Sequence, residues 1–237
     1  MANNSSLTER GFFKRLVRVL FKIVLYGFLF SLFYIFLCKW VNPPITITQI
    51  SSILSGNGLK RNYIKYDDMG DNIKLAVMSG EDQLFPDHNG FDFKSIQKAM
   101  KHNQKSKSLR GASTISQQVA KNVFLWQHGG FFRKGLEVYF TFMIEHIWGK
   151  KRILQMYLNV AQMGKGIFGA DAAAQYYFKK PSKKLSRKEA AMIASCLPNP
   201  VLFTIQPISS RVANRYPWIM RQMNNLQTDP DIQELLQ

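Results

Sequence analysis

Apolar residues are distributed very unevenly along this 237-residue chain. Residues 20–41, LFKIVLYGFLFSLFYIFLCKWV, form one almost wholly apolar run, which reaches the length of about 20 residues that a helix needs to cross a bilayer core. Four basic residues precede the run: Arg10, Lys14, Arg15 and Arg18. Because positively charged flanks stay on the cytoplasmic side, the pattern predicts a single-pass membrane helix with a cytoplasmic N-terminus.

The apolar run is interpreted as an uncleaved anchor. A secretory signal carries small residues before its cleavage site, whereas Phe36 and Leu37 precede Cys38 here. A buried core helix is the alternative, and the all-round hydrophobicity with a basic flank argues against it. We therefore expect the residues after Pro43 to lie on the far side of the membrane.

Downstream of the anchor, the spacing of apolar residues predicts a mainly helical domain with one or two short strands. In residues 45–50 apolar and polar positions alternate, which favours a strand. Residues 101–110 have almost no apolar content and are expected to form a mobile basic loop. The predicted helices are one that begins at Asp71, residues 91–100, a segment capped by Ser113 or Thr114, one long helix over about 132–159, residues 169–178, and residues 186–197.

The charge of the chain indicates an anionic partner. Its 32 Lys+Arg and 15 Asp+Glu give a formal net charge of +17, which suits nucleic acid, a membrane surface or a phosphorylated substrate. The extracytoplasmic location and the lack of a nucleic-acid-binding motif argue against nucleic acid. The two cysteines, Cys38 and Cys196, cannot form a disulfide within the soluble part, and Cys196 is expected to be a small buried residue.

Two adjacent acids, Glu81 and Asp82, stand at the predicted end of the helix that begins at Asp71. The helix dipole, the neighbouring carboxylate and nearby apolar side chains all act to raise the pKa of a carboxyl group there. Such a carboxylate suits a general base near neutral pH. On these residues alone, a solvated helix end is an equally good interpretation, and a metal site that includes His88 lacks further clustered ligands.

The segment GASTISQQ, residues 111–118, collects hydroxyl and amide side chains. Such groups hydrogen-bond well to sugar hydroxyls and amides. No G-x-S-x-G motif marks a nucleophilic serine. The alternative is a capped helix whose polar residues face solvent.

Lys121 and the sequence RKGLE then bring cations close to an acid. Arg133 and Glu137 are four residues apart, so they share one face of a helix. Together with Lys134, these cations suit a clamp for a phosphate group. An ordinary surface ion pair, which contributes less than about 1 kcal/mol, is the alternative.

Five motifs occur in order behind the anchor: EDQLFPDHNGFD, RGASTISQQ, RKGLE, KKRILQMYLN and AAMIASCLPNP. Together they closely resemble the peptidoglycan glycosyltransferase family over about Leu75 to Pro200. No penicillin-binding transpeptidase domain follows them, as expected for a monofunctional member. The resemblance implies a mainly α fold, with a lysozyme-like glycosyltransferase domain and a small membrane-proximal lobe, preceded by one transmembrane helix.

The resemblance also implies a domain order. The expected segments are a cytoplasmic basic tail (1–19), the transmembrane anchor (20–41), a linker and membrane-proximal segment (42–70), the glycosyltransferase domain (71–225) and a C-terminal tail (226–237). It places the chain in the bacterial cytoplasmic (inner) membrane, with the catalytic domain in the periplasm.

The reaction implied by the resemblance is the polymerisation of lipid II, with inversion at the anomeric carbon and release of undecaprenyl pyrophosphate. By similarity, Glu81 is the general base and Glu137 is a second acid that helps to organise the pyrophosphate site. The other implied roles are donor binding by Lys121, Arg133 and Lys134, a substrate cleft lined by Gly111, Ser113, Thr114, Gln117 and Gln118, and support by Asp82, His88 and Asn159.

The implied partners are lipid II, the lipid-linked glycan chain, membrane lipids and proteins of cell-wall synthesis or division, without nucleic acid. No cofactor is expected to be required and no metal site is assigned, while a stimulating divalent cation such as Mg²⁺ is left open. Two other functions are also left open: a membrane-anchored lysozyme-like hydrolase or lytic transglycosylase, and a non-catalytic glycan-binding scaffold.

One position departs from the family pattern. Members often carry another Arg shortly before the RK pair, where this chain has Gly129 and Gly130. Cations from residues 101–110 are expected to compensate, or the donor is bound more weakly. The apolar stretches around Phe131, Phe132 and Phe140 are expected to be mostly core, and entry of part of them into the membrane to meet the lipid tail is left open.

Overall fold

A computed structural model describes residues 5–106, 111–127 and 129–237 of the chain, with side chains from residue 12 onward. These residues are mainly helical, with one small sheet, so the prediction of a mainly α fold is confirmed. They fall into two compact units, which are divided between Val41 and Asn42.

The first unit is one helix, α1 (Ser5–Trp40). Its segment Phe12–Trp40, 29 residues, is long and apolar enough to cross a membrane, and few of its side chains are buried. Side chains such as Phe21 and Val24 are 65% and 70% exposed, which suits a helix surrounded by lipid. The helix is consistent with the predicted single-pass anchor, and it begins well before residue 20.

The second unit contains a helical bundle and a small sheet. Its helices are α2 (Ile47–Leu54), α3 (Asp71–Glu81), α4 (Phe93–Lys105), α5 (Ile115–Phe124), α6 (Phe131–Ile147), α7 (Lys150–Val160), α8 (Ala170–Phe178), α9 (Arg187–Cys196), α10 (Ser210–Leu226) and α11 (Pro230–Leu236). Its strands are β1 (Lys60–Arg61), β2 (Gln162–Gly164) and β3 (Ile167–Phe168). The strand order is β1-β3-β2, with β1 parallel and β2 antiparallel to β3.

Helix α3 is a core helix of the second unit. It packs against α9 and α10, and residues 73–79 are all buried. A helix that is buried nearly all round cannot shift without disturbing its neighbours. Its last residue, Glu81, is therefore held at a defined place beside a second layer in which α5 packs against α6 and α7.

The predicted strand at residues 45–50 is wrong, because Ile47–Leu54 form α2. Thr46 Oγ1 accepts a hydrogen bond from the Gln49 N–H at 3.3 Å, and Gln49 Oε1 accepts one from the Thr46 N–H at 3.2 Å. This capping box satisfies backbone donors at the start of the helix. An alternation of only six residues is too short to favour a strand against it.

Two predicted boundaries are also wrong. The long helix over 132–159 is two helices, α6 and α7, because Gly149 has a φ of 79°, in the left-handed region that glycine adopts readily. The predicted loop at 101–110 is helical in its first half, since α4 continues to Lys105. Residues 107–110 lie outside the described residues.

The prediction that the stretch around Phe131 and Phe132 is mostly core is wrong at these two positions, while its contact with a membrane stays a prediction. The two side chains are 98% and 75% exposed in the first turn of α6, where no preceding turn covers them. Phe140, two turns further along, stacks on Phe124 with ring centroids 4.6 Å apart. Cys196 is buried as predicted, and burial raises the pKa of its thiol to about 12.

The C-terminal helix α11 is fixed to the core through its backbone. The Tyr66 hydroxyl donates to the Leu235 carbonyl, and Lys74 Nζ donates to the Leu236 carbonyl at 3.1 Å. The side chain of Lys74 is only 3% exposed, and its Nζ lies 4.2 Å from the centroid of the Tyr66 ring. The last residues of the chain thus supply acceptors for a buried cation.

Candidate active site

Glu81 ends α3 and points its carboxylate at two donors from other helices. Its Oε2 accepts a hydrogen bond from Gln118 Nε2 at 3.0 Å. Its Oε1 lies 3.7 Å from Arg215 Nη2, which also donates to the Gly80 carbonyl at 2.8 Å. The Glu81 side chain is 11% exposed, so the carboxylate is largely enclosed but not sealed from solvent.

Burial is the main cause that raises the pKa of Glu81, and the Asp82 carboxylate adds to it. The Gln118 hydrogen bond, Arg215 and Lys121 act in the opposite direction and lower the pKa. The carboxylate is therefore less acidic than an ordinary glutamate but is still supported in its ionised form by three neighbours. This balance is suited to a proton acceptor that works near neutral pH.

Asp82 and His88 fix the loop that follows Glu81. Asp82 Oδ2 accepts a hydrogen bond from the Ile115 N–H at 2.9 Å, at the start of α5, and Asp82 Oδ1 lies 3.0 Å from His88 Nε2. The Gly90 N–H donates to His88 Nδ1 at 3.1 Å, so Nδ1 is an acceptor and Nε2 carries the hydrogen that Asp82 receives. The two side chains thus connect the C-terminal end of α3 to the N-terminal end of α5.

A hydrogen-bond network around Glu145 and Lys150 holds this loop in place. Lys150 Nζ donates to the His88 carbonyl and to Glu145 Oε1, the latter at 2.8 Å. The Ser116 hydroxyl donates to the same carboxylate oxygen. Because Glu145 is only 4% exposed, this network is a fixed part of the structure and not a solvated surface pair.

The polar segment 111–118, which leads into the first turn of α5, contains buried and exposed residues. Thr114 and Gln117 are buried and form a capping box, with Thr114 Oγ1 accepting from the Gln117 N–H and donating to the Gly90 carbonyl. Gly111 and Ser113 are exposed. Of the predicted cleft residues, Gln118 is therefore the one that the structure places on Glu81, at the distance given above.

The cations of α6 meet at Glu137. Arg133 Nη1 donates to Glu137 Oε2 at 2.8 Å, and Lys134 Nζ donates to Glu137 Oε1. Glu137 is 4% exposed, so this pair of contacts is not an ordinary surface ion pair. Arg133 Nε is buried and has no hydrogen-bond partner among the residues that the structure describes.

Lys121 on α5 is affected electrostatically by Glu81 and by the charged residues of α6. Burial lowers the pKa of its ammonium group, and the largest opposing effect comes from Glu137. Arg133 and Lys134 lower this pKa further, whereas Glu81 raises it. Both carboxylates therefore act on the pKa of this one lysine of α5.

The glycine at position 129 is explained by the packing of Arg133. A Cβ atom there would lie 2.9 Å from Arg133 Cβ, 3.0 Å from Arg133 Cδ and 3.0 Å from Trp126 Nε1. These separations are shorter than ordinary van der Waals contact. A side chain at position 129 would therefore push Arg133 away from its present position beside Glu137.

Asn159 holds a distant segment of the chain in place. Its Oδ1 accepts from the Ile64 N–H and its Nδ2 donates to the Ile64 carbonyl, each at 3.0 Å. The side chain is fully buried. It therefore satisfies both backbone groups of a residue 95 positions away in the chain.

Two residues that contact this site were not predicted to belong to it. Arg215 lies on α10, and Tyr157 on α7 donates from its hydroxyl to Gln118 Oε1 at 3.0 Å. Tyr157 stands in the motif KKRILQMYLN, two positions before Asn159, so the motif itself carried a signal. Arg215 lies beyond Pro200, outside the motifs, and nothing in the local sequence distinguishes it from other arginines of α10.

The alternative of a metal site at Glu81, Asp82 and His88 gains no support from the geometry. Among the side chains that the structure describes, from residue 12 onward, no three of His, Cys, Asp or Glu come together in a way that could hold a metal ion. The oxygens of Asp82 instead accept hydrogen bonds from His88 and the backbone.

Comparison with known proteins identifies similar chains. A family model described as Transglycosylase matches residues 47–224. A biosynthetic peptidoglycan transglycosylase of Mannheimia succiniciproducens is 52% identical over 165 residues, which cover 70% of this chain and 68% of that protein. The proteins of the same description from Haemophilus influenzae and Pseudomonas aeruginosa are 46% identical over 215 residues (87% of each chain) and 43% identical over 222 residues (91% and 96%). The match extends on both sides of the stretch that carries the five motifs.

Proposed function

Since this chain belongs to the transglycosylase family and is a peptidoglycan glycosyltransferase, we propose that it lengthens glycan chains with Glu81 as the base and the cations of α5 and α6 as the leaving-group site. The observation that best supports this assignment is that α5 and α6 place an enclosed carboxylate, Glu81 on Gln118, beside cations that Glu137 orients, with Lys121 of α5 under the electrostatic influence of both acids. A proton acceptor and a cation cluster that share one lysine suit a reaction in which a hydroxyl is deprotonated while an anion departs.

In the proposed reaction, the 4-hydroxyl of lipid II attacks the anomeric carbon of the lipid-linked glycan chain. Glu81 takes the hydroxyl proton as the new carbon–oxygen bond forms. The bond from the anomeric carbon to the pyrophosphate oxygen breaks, and its electron pair leaves with undecaprenyl pyrophosphate. Attack from the opposite face inverts the centre and gives a β-1,4 link.

We assign the leaving pyrophosphate to Lys121, Arg133 and Lys134. Negative charge gathers on it in the transition state, so cations fixed in advance contribute most to lowering the barrier. Arg133 and Lys134 are oriented by Glu137, and both carboxylate oxygens of Glu137 are engaged in those contacts. A glycosidase needs a second carboxyl group that donates a proton to the leaving oxygen, a role for which Glu137 is poorly placed.

The remaining predicted residues receive different roles. We assign Gln118, Ser113 and Gly111 to the wall of the substrate cleft, since the first contacts Glu81 and the other two are exposed. Buried Thr114 and Gln117 instead fix the start of α5. The other supporting residues are Asp82, His88 and Asn159.

We further propose that the chain is a single-pass protein of the bacterial inner membrane. The basic residues before α1 support a cytoplasmic N-terminus, with the second unit in the periplasm. The formal charge of +17 suits both the pyrophosphate and anionic lipid headgroups. Recruitment by cell-wall synthesis or division proteins and independence from any required cofactor stay predictions.

A polymerisation assay on the full-length protein in detergent tests the function. We expect labelled lipid II to be converted into longer glycan, with undecaprenyl pyrophosphate released in step. Addition of a chelator, and then of Mg²⁺, measures whether a divalent cation stimulates the reaction. Shortening of finished glycan without growth from lipid II would contradict the proposed function and favour the hydrolase.

The pH dependence of the rate should depend on Arg215. Because Glu81 must be ionised to accept a proton, activity rises with pH through its pKa. Arg215 lowers that pKa, so Arg215→Gln should raise it and move the acid limb of the profile to higher pH. Arg221→Gln, an exposed arginine of the same helix, is the matched control and should leave the limb in place. An Arg215→Gln profile that falls equally at every pH would show a purely structural role.

A further inference from the structure

We propose that Tyr157 is a positioning residue for Glu81, and that it acts through the amide of Gln118. The proposal rests on the assignment of Glu81 as the base. Tyr157 lies on α7, and its hydroxyl donates to Gln118 Oε1 at 3.0 Å. Gln118 lies on α5, and its Nε2 donates to Glu81 Oε2 at 3.0 Å. Three residues on three helices thus form one chain of hydrogen bonds that ends on the base.

The direction of this chain is set at the tyrosine. Tyr157 is fully buried, and burial raises the pKa of its phenol well above 10, so the hydroxyl keeps its hydrogen. Both ends of an amide side chain are similar in shape but opposite in hydrogen bonding. The tyrosine hydrogen lies on Oε1 of Gln118, which leaves the amide N–H for Glu81. Turning the amide by 180° would take this acceptor away from the buried hydrogen and place the amide oxygen against the carboxylate.

That orientation favours one charge state of Glu81. An N–H donor stabilises an ionised carboxylate more than it stabilises the protonated acid, whose carbonyl oxygen is a weaker acceptor. If the amide turned by 180°, its oxygen would face Glu81 and would favour the protonated form, which cannot act as a base. The hydroxyl of Tyr157 therefore selects the reactive state of Glu81 without touching it.

The chain also determines which oxygen of Glu81 receives the substrate proton. Oε2 is occupied by the N–H of Gln118, so a proton placed there would face another donor. Oε1 lies 3.7 Å from Arg215 Nη2, beyond hydrogen-bonding distance. The acceptor hydroxyl of the substrate is therefore expected to approach Oε1.

Several charged groups act on Glu81 besides this chain. Arg215 of α10 and Lys121 of α5 favour the ionised form, while Asp82, directly after α3, opposes it. Glu137 of α6 reaches the site through its effect on Lys121. All of them remain in place when Tyr157 is replaced by phenylalanine, so that change isolates the effect of the hydroxyl.

The test is the pH profile of lipid II polymerisation by full-length Tyr157→Phe. We expect the acid limb to move to higher pH, with the rate falling several-fold more at about pH 6 than at about pH 9, where the variant approaches the parent protein. Tyr177→Phe is the matched control, because the hydroxyl of this buried tyrosine donates to a backbone carbonyl, that of Met163, at 3.5 Å. It should leave the profile unchanged.

A second substitution separates the proposed route from general damage. In Gln118→Leu, which has no amide to orient, adding Tyr157→Phe should cause no further movement of the acid limb. A Tyr157→Phe profile that is unchanged or lowered equally at all pH values would overturn the inference, as would equal shifts with and without Gln118.

The two proposals fail in different ways. If Glu81→Gln still polymerises lipid II, the assignment of the base fails and this inference fails with it. If Glu81→Gln is inactive while Tyr157→Phe keeps the parent's acid limb, the role of Tyr157 alone is rejected. Thermal unfolding of each variant checks that the fold is retained.

Discussion

Glu81→Gln should lower the rate of lipid II polymerisation by about 10³-fold, the size of effect that removal of a general base produces. The amide keeps the shape of the side chain, and its oxygen can still accept the hydrogen bond from Gln118. What it loses is the ability to take a proton from the 4-hydroxyl. Binding of lipid II and the thermal midpoint should therefore change little.

The matched control for this change is Glu234→Gln, which alters an exposed carboxylate on α11. It removes the same charge from the same unit and should leave the rate unchanged. Initial rates with labelled lipid II, measured at several pH values, provide the comparison. Polymerisation by Glu81→Gln at more than about a tenth of the parent rate would show that another group accepts the proton.

Arg133→Ala should lower kcat/KM for the lipid-linked donor by about 10²-fold or more, as expected when a preorganised donor to a developing anion is removed. The change also leaves the carboxylate of Glu137, whose side chain is 4% exposed, with Lys134 as its remaining hydrogen-bond partner among the described side chains. Lys134, which Glu137 orients, should then be placed less well. The effect should therefore exceed that of losing one surface charge.

Arg133→Lys separates charge from geometry in this cluster. It keeps the positive charge but loses the guanidinium fork, so a partial recovery is expected. Arg187→Ala removes a partly exposed arginine that bonds to Asn224, and it is the control for the loss of an arginine outside this cluster. If Arg133→Ala polymerised at the parent rate with an unchanged KM for the donor, Arg133 would not belong to the leaving-group site.

The parts of the site that could be predicted from sequence are those that depend on local spacing. The pairing of Arg133 with Glu137 follows from a separation of four residues on a helix, and the place of Glu81 follows from the end of α3. The contacts of Glu81 with Gln118 and Arg215 join positions 37 and 134 residues apart in the chain. No periodicity records such contacts, because they depend on how whole helices pack.

The errors in the predicted fold also arise where packing and local contacts outweigh the sequence pattern. The alternation in residues 45–50 was outweighed by the side-chain contacts of Thr46 with Gln49, which favour a helix start. The apolar pattern across residues 132–159 continued through a change of direction at Gly149, since pattern alone does not report a positive φ. Phe131 and Phe132 were assigned to the core by their type, whereas exposure depends on what covers them.

The way in which α11 is held has a practical consequence for anyone who builds a fusion protein. Tyr66 donates a hydrogen bond to the carbonyl of Leu235, and Lys74 donates one to the carbonyl of Leu236. These two residues of α11 are therefore needed as hydrogen-bond acceptors. Deleting them would leave the buried ammonium of Lys74 with fewer partners. An affinity tag or fluorescent label is therefore better joined through a flexible linker after Gln237, with Leu235 and Leu236 retained, or attached before α1.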